Sequence, residues 1–217
     1  MNMPDQKFID HNKDNGLTLI ELLVVIGMIV IILGIVVLNT VVLGNKVRIE
    51  AAANQILDII KETRHNSVSA KEFKNNLFPS YGIYFDKAWP GSIIIYADCL
   101  IDDNNDETID ENDNFTYNPS STDCSGENGL VKTITLDSRV RIDEIRLIPS
   151  IGLGGGSINK VYLQYIRPEP TLWITDDRGD LLSAGKLEID LIDRSGKFKK
   201  TIIFWSTGQS AIKKIIL

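Results

Sequence analysis

Between Asp98 and Asp113 the chain carries eight acidic residues and no basic one. Within that run Asp102, Asn104, Asp106, Thr108, Asp110 and Asp113 fall at positions 1, 3, 5, 7, 9 and 12 of a twelve-residue stretch. Oxygen donors at this spacing are what a loop needs to wrap Ca2+, with a backbone carbonyl serving at position 7 and an apolar residue, here Ile109, at position 8. The competing reading is a solvated acidic loop whose Asn and Asp favour turns. Eight like charges in sixteen residues repel one another unless a cation neutralises them, which favours Ca2+. The negative character is local, because without those eight acids the formal charge moves from −6 to +2.

Aspartate at position 12 makes the stretch resemble dockerin-type loops more than sensor EF-hands. Glu107 stands where the turn prefers glycine, and the flanks are not clearly helical, so the expected structure is an isolated loop inserted between strands. Cys99 and Cys124 bracket it, 25 positions apart. A disulfide there would close the polar excursion in an oxidising compartment; the alternative is two unpaired small apolar residues. Neither cysteine has a nearby histidine or helix N-terminus to activate it as a nucleophile.

Other chemistry is sparse. The chain has two histidines, His11 and His65, so a multi-histidine metal centre or a zinc ribbon cannot be assembled within it. His65 reads as a polar surface or capping residue. The run from Gly152 to Ser157 lacks the Lys-Ser/Thr pair of a phosphate loop and reads as a strand connection. Lys197, Lys199, Lys200, Lys213 and Lys214 could supply phosphate contacts to nucleic acid. They mostly alternate as solvated strand positions would, with little aromatic interleaving.

The elements that must carry these residues begin with an apolar stem. From Leu22 to Leu43 there are 22 residues without a charge, enough at ~1.5 Å per helical residue to cross a ~30 Å hydrocarbon layer. A core helix of a soluble domain would show a polar face, and here only Asn39 and Thr40 interrupt the run. No signal-peptidase site follows closely, so the segment is expected to stay as a single anchor. Lys7 and Lys13 precede the span and Lys46 and Arg48 follow it, so charge alone does not choose an orientation.

The junction before the span reads Asn15-Gly16-Leu17-Thr18-Leu19-Ile20-Glu21-Leu22-Leu23-Val24-Val25. It resembles the prepilin signature of type IV pilins and type II secretion pseudopilins. In that family a membrane aspartyl peptidase, the prepilin peptidase, cuts after the glycine and N-methylates the new first residue. The resemblance implies that Gly16 ends a leader, that Leu17 becomes the N-terminus, and that Glu21 is the family's fifth-position glutamate. In this family Lys or Arg usually stands just before the glycine, whereas here Asp14-Asn15 follow Lys13, which bears on processing efficiency rather than identity. The segment from Glu50 to Gln55 with Arg64 is similar to the FimT and pseudopilin H branch. A carboxylate in an apolar run is itself costly, about 2.5–3.5 kcal/mol at mid-membrane and less near the end. Glu21 therefore wants a partner, and the amine of a cleaved Leu17 on a neighbouring subunit could provide it; the alternative is snorkelling to the interface.

Beyond the span, Val47, Ala51, Ala52, Ile56, Ile59, Ile60 and Val68 recur at three- and four-residue spacing, which predicts that the helix continues to about Val68 with one apolar stripe. After Pro79, nine β-rich runs follow, from Tyr81–Phe85 through Ala211–Leu217, several alternating as strands with one buried face do. Ser195-Gly196 reads as a hairpin tip, and Trp173 and Trp205 as sheet packing rather than a ligand platform.

The expected organisation is a leader over 1–16, a membrane or filament-core helix over 17–44, its amphipathic continuation over 45–69, and a β-rich domain over 70–217 with the acidic loop at 98–129. The fold class is α+β, a long N-terminal helix packed on antiparallel sheet, which is also the pilin-like architecture the resemblance implies. The expected function is structural, not enzymatic: a minor pilin or pseudopilin of a type IV pilus or type II secretion filament. Its partners would be prepilin peptidase, other subunits and the membrane. It would sit in the cytoplasmic membrane with its domain outside, then in an extracellular or periplasmic filament. The alternative is a tip-located pilin that captures DNA or a surface.

Overall fold

The structure is a computed structural model, and it describes residues 18–69, 71–73, 79–99, 129–149, 156–166, 171–176 and 184–214. Residues 100–128 of the acidic loop, including Cys124, and Gly16 and Leu17 lie outside the described residues. The chain divides into two compact units, Met1–Leu43 and Gly44–Leu217. Helix α1, Leu19–Val68, contributes to both.

In the first unit the helix is composed almost wholly of Leu, Ile and Val. β-branched residues are mediocre helix formers in water, whereas an apolar environment favours a helix because its backbone groups bond internally. Every side chain from Leu19 to Val36 is exposed within the chain, and among the described residues this is the one helix long and apolar enough to cross a membrane.

In the second unit α1 buries Ile49, Ala52, Ala53, Ile56, Ile59, Ile60 and Thr63, one residue or pair per helical turn. The stripe is rotated from the sequence expectation. Val47, Ala51 and Val68 are exposed, because Val47 precedes Ile49 by two residues and so points about 200° away from it. Thr63 satisfies its buried hydroxyl by donating to the Ile59 carbonyl. The helix ends at Val68, where Asn66, Ser67 and Ser69 are weak helix formers.

Ten strands follow: β1 Ser80–Asp86, β2 Ser92–Asp98, β3 Leu130–Thr135, β4 Val140–Pro149, β5 Ser157–Ile158, β6 Lys160–Ile166, β7 Thr171–Thr175, β8 Ala184–Asp193, β9 Lys199–Trp205 and β10 Ser210–Lys214. They form two five-stranded sheets, β3-β2-β1-β6-β7 and β10-β9-β8-β4-β5, with every pairing antiparallel. The described strands thus bear out the α+β expectation. The added element is β5, two residues that pair with Ile145 and Arg146 and start at Ser157, where the glycine run ends.

One core joins the helix stripe to the inner faces of both sheets, including Ile83, Phe85, Ile93, Ile95, Val161 and Leu163 from the first and Leu187, Ile189, Leu191, Ile202 and Phe204 from the second. Phe85 and Phe204 meet edge to face, 6.2 Å between centroids. The first sheet departs from the one-buried-face expectation: all seven residues of β1 are buried. Its second face carries Tyr84, Ile94, Tyr96 and Tyr162, with Tyr84 stacked on Tyr162 at 4.8 Å. Gly82 makes room for this layer, since a Cβ there would stand 2.3 Å from the Tyr96 ring.

The second sheet covers its outer face with charge. Asp190 Oδ2 lies 2.8 Å from both Arg146 Nη2 and Lys199 Nζ, and Arg146 also reaches Glu144 and Glu188. Ser195-Gly196 forms the β8–β9 turn as expected: Gly196 adopts φ 74°, and Asp193 accepts the backbone N–H groups of Ser195 and Phe198.

Candidate functional site

The site begins at the helix start. Thr18 is the N-cap: its Oγ1 accepts the Glu21 backbone N–H at 3.3 Å, and its carbonyl accepts the Leu22 N–H at 3.1 Å. Thr18-Leu19-Ile20-Glu21 is therefore the spacing of a capping box, with Glu21 three residues after the cap. The sequence reading missed this second duty of the junction, although a Thr three residues before Glu at the start of an apolar run is its signature. The carboxylate of Glu21 is exposed in the first turn, where the helix dipole favours negative charge. The arrangement holds one acid at the head of an apolar rod and leaves it free to meet a cation from outside the chain.

The other candidate residues divide. Asp102, Asn104, Asp106, Thr108, Asp110 and Asp113 lie outside the described residues, as does Cys124. Among the described residues no group of three or more His, Cys, Asp and Glu could hold a metal ion. Asp98 ends β2 and accepts a hydrogen bond from Gln164 Nε2 at 2.9 Å, while Gln164 Oε1 accepts from the Tyr96 hydroxyl at 3.1 Å. Burial, then the Asp98 and Tyr162 charges, pushes the Tyr96 phenol well above its ordinary value, so it stays a protonated donor rather than a reactive group. Cys99 follows β2 directly and packs with Tyr81 and Ala97.

The five lysines are also separated. Lys199 pairs with Asp190 and Asp143, and Lys200 is buried against Glu50 of α1, whereas Lys197 and Lys213 are exposed. The side chain of Lys214 lies outside the described residues. His65 is exposed in the last turn of α1, as expected of a surface residue. Trp173 alternates with the core residues Leu172 and Ile174, and Trp205 lines a groove beside Ile60, Lys61 and Arg64 of α1. On the other flank of the helix a groove runs between Asn54, Asp58 and Glu62 and β3 residues Lys132, Thr133 and Thr135. Neither groove sets a nucleophile beside a general base.

Residues 11–37 match the family described as the prokaryotic N-terminal methylation motif. No curated protein matches the chain, and no solved structure does. The match spans the Gly16–Leu17 bond, the Thr18 cap, Glu21 and most of the apolar run, and it supports a precursor processed by prepilin peptidase. With that motif on an exposed apolar helix that leads into two antiparallel sheets, the chain fits the type IV pilin and pseudopilin family.

Proposed function

We propose that the chain is a structural subunit, a minor pilin or pseudopilin, of a type IV pilus or type II secretion filament, and that it is a substrate of processing rather than an enzyme. The observation that carries this reading is the exposure of every side chain from Leu19 to Val36 on the helix that bears the methylation motif. So large an apolar surface has to be covered, by lipid before assembly and by like helices after it. Prepilin peptidase cuts after Gly16 and methylates Leu17. The new Leu17 ammonium then meets the Glu21 carboxylate of a neighbouring subunit, which removes the cost of a lone acid among apolar side chains. The domain lies outside the cytoplasm. Intact mass of the membrane-extracted protein tests the reading: a chain starting at methylated Leu17 is expected, and an uncut chain starting at Met1 overturns it.

We further infer Ca2+ binding by Asp102, Asn104, Asp106, Thr108, Asp110 and Asp113, and a Cys99–Cys124 disulfide. The Ala97 N–H donates to the Gly129 carbonyl at 2.7 Å, so the acidic excursion leaves and rejoins the sheet at one place. The chain has two cysteines, and no described cysteine is free. Closing such a loop contributes about 3 kcal/mol. Thermal melts with Ca2+ and with chelator decide the metal, and identical curves remove it. Alkylation without reductant decides the cysteines: two added groups exclude the bond.

A second reading, a tip-located pilin that captures DNA or a surface, is favoured by the exposure of Lys197 and Lys213. Duplex DNA affinity of the detergent-solubilised chain that is absent, or insensitive to salt, excludes DNA as the ligand.

A further inference from the structure

Beyond Gly44, the large apolar side chains exposed among the described residues are Val47, Val68 and Trp89, at 66%, 58% and 55%. Val47 and Trp89 belong to the same end of the domain. Arg48, one residue after Val47, places Nη1 2.7 Å from Asp137 Oδ2, and Asp137 Oδ1 accepts the Arg139 N–H at 2.9 Å. Leu136 N–H donates to the Gly91 carbonyl and Ile142 N–H to the Pro90 carbonyl, which ties the β1–β2 turn holding Trp89 to the β3–β4 turn. Arg194 N–H donates to the Arg139 carbonyl at 2.7 Å and adds the β8–β9 turn.

These turns, with the α1 residues Lys46 and Arg48, carry six bases: Lys46, Arg48, Lys87, Arg139, Arg194 and Lys197. The acids among them are engaged. Asp86 is buried under the Tyr84 hydroxyl, Asp193 is buried in its turn, and Asp137 is paired with Arg48. On a chain of formal charge −6 this end is positive, and an exposed indole stands in its midst.

We propose that this end docks on an anionic phospholipid surface, with Trp89 at the headgroup level and the surrounding bases among the phosphates. Tryptophan concentrates at membrane interfaces, and clustered bases are drawn to anionic leaflets. Connectivity supplies the proximity, because Arg48 is five residues beyond Leu43, at most about 18 Å of fully extended chain. A lone apolar indole favours a bilayer over a nucleic-acid duplex, which offers these turns no layer in which to bury it. The inference rests on the anchoring of α1 and goes beyond the filament reading.

The test reconstitutes the full chain in phosphatidylcholine vesicles and in phosphatidylcholine–phosphatidylglycerol vesicles, each with lipid spin-labelled at the headgroup, and reads tryptophan quenching. Quenching is expected to be stronger in the anionic vesicles, to lose that excess in Trp89→Phe, and to weaken with salt. Each base contributes about fivefold to the docked population, so neutralising Lys87, Arg139 and Arg194 together lowers the docked-to-undocked ratio about a hundredfold, and Lys87→Glu with Arg139→Glu and Arg194→Glu lowers it further. Neutral Gln replacements, which carry that hundredfold effect without reversing any charge, guard against misfolding of the reversals. Equal quenching in the two vesicle types overturns the proposal, as does an excess that survives Trp89→Phe. Binding of duplex DNA through these bases without any response to anionic lipid overturns it in favour of a nucleic-acid surface. Release of the chain by alkaline extraction overturns the anchoring and this inference together; retention without quenching overturns the docking alone.

Discussion

Asp190 offers the sharpest energetic test of the domain. Its side chain is fully buried on the outer face of the second sheet, 2.8 Å from Arg146 Nη2 and 2.8 Å from Lys199 Nζ, and it accepts the Thr201 hydroxyl. Its hydrogen bond is the main reason the Lys199 ammonium is held above its ordinary value. Burial pulls the Arg146 guanidinium down, but Asp190, Glu144 and Glu188 outweigh it. In Asp190→Asn both cations lose their buried partner. Arg146 keeps Glu144 at 3.0 Å and Glu188 at 3.1 Å, and Lys199 keeps Asp143 at 3.5 Å. Breaking a buried pair from one side costs about 3–5 kcal/mol, and the residual partners and partial exposure of the cations reduce this to about 2–3 kcal/mol. In a domain of this size that lowers Tm by about 5–10 °C. Replacing both cations instead, Arg146→Met with Lys199→Met, strands a fully buried carboxylate and costs the full ~3–5 kcal/mol. Adding Asp190→Leu to that pair recovers part of the loss, the remainder being the buried Thr201 hydroxyl without its acceptor and Glu188 without Arg146. The assay is equilibrium unfolding of the full chain in detergent. A change under about 0.5 kcal/mol for Asp190→Asn, the range of ordinary surface substitutions, refutes the reasoning.

Three further outcomes follow from the structure. Gly82→Ala drives a methyl into the Tyr96 ring, loosens its hydrogen bond to Gln164, and is expected to cost about 2–4 kcal/mol in the same unfolding assay; Tyr96→Leu in that background should recover part of it. Glu21→Gln keeps a side chain that suits the capping box but removes the charge, so helix content by circular dichroism should hold while incorporation into filaments falls at least tenfold; Thr18→Val should do the reverse, costing about 1 kcal/mol of helix stability with incorporation largely kept. The Asp137 carboxyl is lowered by the Arg139 N–H and by Arg48. Those of Glu188 and Asp193 are raised by burial but brought down further, by Lys186 and Arg146 in one case and by Ser195 and Phe198 in the other. All three sit below their unfolded values, so their contribution is complete above the unfolded carboxylate range near about pH 4 and is lost as pH falls through the folded values. Tm should therefore fall steeply on acidification below about pH 4.5, and Arg146→Met should flatten the Glu188 share of that slope.

The long helix and most of the strands were legible because their residues carry the signal locally. Leu187-Glu188-Ile189-Asp190-Leu191 alternates apolar and acidic side chains, and β8 buries the three apolar ones in the core. What the alternation concealed was that Glu188 and Asp190 would also be buried, since their cover comes from Arg146 and Lys199, 42 and 9 residues away in sequence. The phase of the helix stripe slipped for a similar reason. Val47, Ala51 and Val68 are apolar by type, but the packed face is set by the sheets, which select Ile49, Ala53 and Thr63 instead. Of the candidate site, Glu21 stood out because a charge in an apolar run is conspicuous, whereas the Thr18 cap was hidden inside the family motif. The grouping of Trp89 with Arg48, Arg139 and Arg194 was not legible at all, because three turns distant in sequence supply it.

The last turn of α1 fastens to the first sheet through one hydroxyl: Ser67 Oγ donates to the Tyr165 carbonyl and accepts the Tyr81 N–H. At the near end Arg48 grips Asp137 and Glu50 grips Lys200. Tension delivered along the helix would meet fasteners at both extremities of its packed length, with the apolar stripe between them. Such a load would be borne in shear by many contacts at once rather than peeled apart one turn at a time. The packed length of the helix is thereby held to the sheets against a pull that would otherwise open it from one end.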